Sequence, residues 1–171
     1  LATNDTNTLL AVGSILGDGN SDASRNSGDV YLYQFDDSDF TNATLIGRIG
    51  DGYSGSKDLD IDNLQANDQM GAALSFDSDG DRLAIGARLD DGTSNNRHTK
   101  FAGAVYLVSF DDTSYSNPTL QSTIGEGYSG SKNINLTTQG VNSGPAWGKK
   151  DQFGYSVALD GDGNRLAVGA P

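Results

Sequence analysis

Two short acidic loops hold the residues whose types and spacing could do chemistry. Asp77, Asp79 and Asp81, and likewise Asp160, Asp162 and Asn164, put side-chain oxygens at positions one, three and five of a loop. Hard oxygen ligands at that spacing open a calcium loop. The same residues also build turns, because Asp and Asn side chains accept hydrogen bonds from amides a few residues on. A hairpin turn is the preferred reading of both loops, with calcium as the alternative. The pairs Asp36-Asp37, Asp90-Asp91 and Asp111-Asp112 are read as solvated turns able to hold surface cations weakly.

Other chemistry finds little to work with. The chain has one histidine, His98, in a polar run of Asn, Arg, Thr and Lys, and no cysteine. Thiol catalysis, disulfides and Cys-based metal sites are therefore excluded, and no second His completes a nucleophilic constellation. Gly50-Asp51-Gly52-Tyr53-Ser54-Gly55 and Gly125-Glu126-Gly127-Tyr128-Ser129-Gly130 resemble a phosphate-binding fingerprint in letters alone, since Asp51 and Glu126 would repel phosphate and no helix is expected to follow. These segments are read as ordered linkers, or as loops whose Tyr, with Lys57 or Lys132, contacts a neighbour or a glycan. Trp147, in an inserted stretch around 142–150, is read either as a contact point or as a ring folded back over a blade edge. Asn4, Asn42 and Asn135 head N-x-Thr sequons. No catalytic, cofactor-binding or metal residue is assigned, and the chain is expected not to be an enzyme.

Composition narrows the setting. The 171 residues carry 23 acids against 11 Lys and Arg, a net charge of -12. Phosphate backbones need clustered positive charge, so a nucleic-acid partner is not expected. No apolar run approaches the roughly 20 residues of a membrane helix. All the acids but Glu126 are Asp, which favours turns over helix interiors. The absence of Cys fits a secreted bacterial protein.

The elements that must position these loops repeat. Asp68 to Ala87 returns as Asp151 to Ala170 at an offset of 83, and Leu10-Ala11-Val12-Gly13-Ser14 aligns with Leu83 to Ala87 at 73. Gly28 to Asp37 matches Gly103 to Asp112, and Gly52 to Lys57 matches Gly127 to Lys132, both 75 apart. Short apolar runs between Asp, Gly, Asn and Ser clusters predict four strands per unit, in the middle copy about 71–76, 82–87, 103–110 and 119–124. The expected organisation is a partial repeat over 1–66, a complete four-stranded repeat over 67–150, and half a repeat over 151–171. Residues 1–14 then duplicate 157–170 in register. Fold class is all-β, with tandem four-stranded antiparallel meanders arranged as a closed propeller or an open stacked array; two units are too few for the about 4 to 8 blades of a ring.

The run Asp151-Gln152-Phe153-Gly154 through Arg165-Leu166-Ala167-Val168-Gly169-Ala170-Pro171 resembles the FG-GAP repeat family. That resemblance implies propeller-type blades like those of integrin α heads, with a bacterial branch found in secreted and surface proteins. The middle copy departs from it, with Met70-Gly71 and Gly86-Ala87-Arg88. The calcium loop of integrin-like repeats also needs a carboxylate near position nine, where Ile85 and Val168 stand, and the first copy offers Asn4, Thr6 and Thr8. The resulting expectation is a non-enzymatic, extracellular or cell-surface repeat protein, adhesive or structural, whose partners are neighbouring repeats or copies of itself, or a surface glycan or protein. A ligand-binding propeller head is the alternative.

Overall fold

The Val-, Ile- and Leu-bearing runs form strands, and the Asp- and Gly-rich clusters between them turn the chain. A computed structural model describes residues 1–22, 24–93, 101–138 and 151–171. These residues are all-β, without helix. In the first sheet β1 (Ala2–Thr3), β2 (Leu9–Ser14), β3 (Asp29–Gln34), β4 (Thr44–Gly50) and β5 (Leu59–Asp60) lie in chain order. In the second, β6 (Met70–Phe76), β7 (Arg82–Ala87), β8 (Ala104–Ser109), β9 (Thr119–Gly125) and β10 (Ile134–Asn135) do the same. The third is a hairpin of β11 (Ser156–Leu159) and β12 (Leu166–Gly169).

One expectation needs correction. Each large sheet has five strands rather than four, and the fifth, β5 or β10, runs parallel to its neighbour. Such a short return is possible because a side chain replaces a missing ladder bond: Asp58 Oδ1 accepts from Arg48 N at 2.9 Å, and Asn133 Oδ1 from Thr123 N at 2.8 Å. Of the two arrangements left open, no closed ring or barrel is seen among the described residues: the three sheets remain separate, the second touching both others.

The core lies between the sheets. In β2, Leu9 and Ala11 are buried while Leu10 and Val12 are half-buried, as alternation requires when one face is covered. In β7 every residue from Leu83 to Ala87 is buried, because packed sheets cover both of its faces. Leu32, Ile49, Met70, Ile85, Tyr106 and Val108 belong to the same continuous cluster.

Candidate functional site

The repeated pieces meet where the sheets meet, and glycine permits the approach. A β-carbon on Gly13 would stand 2.0 Å from the Gly71 carbonyl oxygen, and one on Gly86 2.0 Å from that of Gly154. Both distances are well inside van der Waals contact, so no other residue fits. Beside each contact a backbone clasp forms. Gln69 N donates to Asn26 O and Met70 N to Ser27 O at 3.2 and 2.8 Å; Gln152 N donates to Phe101 O and Phe153 N to Ala102 O at 3.0 and 2.8 Å. Gln69 and Gln152 take positive φ of 57° and 51° to reach it. Met70, which breaks the sequence pattern, is fully buried at the clasp. Arg88, in the place of Pro171, donates to Gln69 Oε1 at 2.9 and 3.1 Å and lies 6.0 Å from the Tyr155 ring centroid.

A second contact, made by the β8–β9 hairpin, links the first two sheets. The β8–β9 hairpin carries Tyr115, fully buried beside Phe110 and Phe76 with ring centroids 4.8 and 5.9 Å away. Lys57 Nζ, from the first sheet, donates to the Ser114 carbonyl at 2.6 Å.

The acidic loops form a row along one edge. Ser78 N donates to Gly161 O at 3.1 Å and Asp5 N to Ser78 O at 3.3 Å, joining successive turns. Within each turn the first residue holds its own backbone: Asp77 Oδ1 accepts from Gly80 N and Arg82 N, Asp160 Oδ1 from Asn164 N and Arg165 N, and Asn4 Oδ1 from Thr8 N and Leu9 N. An oxygen so committed is a turn former. Asp77 N closes the loop on Arg82 O at 3.2 Å, before a ninth position is reached. Asp79, Asp81, Asp162 and Asn164 line the cleft between the turns, where Arg82 Nη1 donates to Asp162 O at 3.0 Å. Among the described residues no three His, Cys, Asp or Glu side chains converge as a metal would need.

The acids that sequence reasoning set aside as solvated turns include the most buried one. Asp90 is 1% exposed; its Oδ2 accepts from Tyr106 Oη at 2.6 Å and Tyr128 Oη at 2.9 Å, and its Oδ1 from Gly92 N at 2.6 Å. Burial raises its pKa and also that of Asp68, which, beside Asp90, is pushed up to about 8. The signal for this cluster was present in the Tyr repeated at 31 and 106, and at 53 and 128. The Gly-Tyr-Ser-Gly loops turn Tyr53 and Tyr128 inward, so both rings are buried rather than offered to a neighbour. His98 and Trp147 lie outside the described residues.

No protein-family model matches the chain, and no curated protein matches it.

Proposed function

We propose that the chain is a non-enzymatic, extracellular, FG-GAP-like repeat element whose work is structural or adhesive, performed by packing one β-unit on the next into an open array. The observation that carries this is the double occurrence of one interface: Gly13 on Gly71 with its clasp, and Gly86 on Gly154 with the same clasp. A surface that recurs between units of one chain can extend to further units, because each contact involves nearest neighbours alone. The net charge of -12 keeps such an array soluble and resists lateral clumping.

A ligand-binding role has one observation in its favour. The cleft between the first two turns is lined by Asn4, Thr6, Thr8, Asp79, Asp81 and Asp112, a hydroxyl- and carboxylate-rich wall suited to a hydroxylated ligand or a cation. Negative-stain electron microscopy, with calcium and with chelator, tests both. Extended particles unaffected by chelation support the array; compact rings, or particles that fall apart on chelation, favour the binding head.

A further inference from the structure

The fold treats the N-x-Thr sequons at Asn4, Asn42 and Asn135 differently. Asn4 is 3% exposed. Its Oδ1 accepts from Thr8 N and Leu9 N, and its Nδ2 donates to Thr6 Oγ1 at 2.8 Å, so both ends of the amide and the hydroxyl of its own sequon are spent inside the first turn. Asn135 is half-buried in β10, where its Oδ1 accepts from Gly127 N and Thr137 N. The hydroxyl of that sequon, on Thr137, is bound to the Glu126 carboxylate. A glycan acceptor presents its amide nitrogen and its hydroxyl to solvent, and these two sequons withhold them.

Asn42 is the reverse. All residues from Asp36 to Leu45, across the β3–β4 hairpin, are exposed. Asn42 Nδ2 donates to Asp36 Oδ2 at 2.8 Å on the open face of the turn, and the Thr44 hydroxyl lies a long 3.5 Å from the Asn42 carbonyl.

The β8–β9 hairpin repeats this geometry 75 residues on. Asn117 has φ 48° against 51° at Asn42; its Nδ2 donates to Asp111 Oδ2 at 2.7 Å, and Thr119 Oγ1 donates to its carbonyl at 3.2 Å. Lys57 of the first sheet holds this second hairpin by the Ser114 carbonyl, yet Asn117 is exposed all the same. Exposure at this position therefore belongs to the hairpin itself and survives its packing on a neighbouring unit. The two copies differ in covalent structure: Pro118 stands where Ala43 does, and proline in the middle of the triplet abolishes the sequon.

We infer that Asn42 is an N-glycan acceptor and that Asn117 is the same site silenced by Pro118. In the transfer, Asn42 Nδ2 attacks C1 of a sugar carried on a phosphate leaving group. The N–C1 bond forms, the C1–O bond breaks with its electron pair going to the phosphate, and one Nδ2 proton is released. Donor and transferase belong to the machinery that modifies exported chains, so the inference rests on the extracellular reading. The product is a bulky, solubilising group on the hairpin.

The test treats the folded chain with a soluble N-glycosyltransferase and UDP-glucose, and a proteolytic digest of the same chain in parallel, reading intact mass and peptide maps. Folded wild type should gain one hexose, on Asn42. Asn42→Gln should gain none, and Pro118→Ala should gain a second, on Asn117; circular dichroism checks that both variants fold. Asn4 and Asn135 should accept hexose in the digest alone, where the fold no longer withholds them. A folded chain left bare at Asn42, or modified as readily at Asn4 or Asn135, overturns the assignment. A Pro118→Ala chain that gains nothing at Asn117 overturns the equivalence of the two hairpins. Neither failure touches the array reading, which the particles seen in the microscope decide.

Discussion

Asp29 supplies to the first unit the buried carboxylate that Asp90 supplies to the second, although the two sit on different elements. Gly17 is the backbone equivalent of Asp90: Gly28 N donates to Gly17 O at 3.0 Å, as Gly103 N does to Asp90 O at 2.9 Å. Asp29 is the equivalent of Ala104. Its carboxyl faces Tyr53 and Tyr31, the counterparts of Tyr128 and Tyr106, and its Oδ2 fills the space beside Gly17, 2.0 Å from where a β-carbon would stand. One unit thus pairs Gly with Asp, the other Asp with Ala, and both put one acid against two tyrosines.

This exchange predicts coupling. Gly17→Asp alone forces a second carboxylate into an occupied site and should destabilise by about 1–3 kcal/mol, whereas adding Asp29→Ala should restore much of the loss. Urea unfolding of the two single variants and the double gives the coupling; additive effects would contradict the equivalence.

The acidic core sets the pH dependence. Asp68 rises to about 8 in the folded chain through burial and the neighbouring Asp90 charge, against roughly 3.9 unfolded. The folded state therefore binds more protons between those values, so stability is full below about pH 4 for this group and is lost as pH climbs toward 8. Buried Asp29, Asp77 and Asp90 are raised and act in the same direction. Asp112, held down to about 2 by the Ser114 hydroxyl and amide, works the opposite way below pH 4. Calorimetry should find the melting midpoint higher near pH 5 than near pH 8, and Asp68→Asn should flatten that slope.

Tyr115 separates ring from hydroxyl. Its hydroxyl is buried without a partner, so Tyr115→Phe should leave stability unchanged or raise it. Tyr115→Ala removes the ring packed against Phe76 and Phe110 and should cost about 3–5 kcal/mol. Denaturant midpoints of the two variants distinguish the contributions.

Gly86 tests the close approach of the second and third sheets. Gly86→Ala drives a methyl into the Gly154 carbonyl and should cost at least about 1–3 kcal/mol. Gly161→Ala meets the Ser78 hydroxyl at 2.8 Å, which can rotate away, and should stay within about 0.5 kcal/mol. Amide exchange should show β11 and β12 losing protection in the first variant and keeping it in the second.

The all-β class was legible because Asp, Gly and Asn punctuate the chain so densely that apolar runs stay strand-length, and the second strand of the middle unit falls at 82–87 as expected. Turns at Asp77 and Asp160 were legible for the same local reason: an Asx side chain caps amides within its own loop. Which of two chemically identical acids is buried depends on contacts that sequence spacing does not encode. Asp90 and Asp91 read alike, yet Tyr106 and Tyr128 converge on Asp90 from β8 and the loop after β9. The parallel fifth strands, the inward turn of Tyr53 and Tyr128, and the exchange of acid between Asp29 and Asp90 arise from packing between distant segments. The repeat by itself determined that units exist and where their turns lie; how closely they approach, and which glycines allow it, was decided by the tertiary structure, because only there do two backbones compete for the same space.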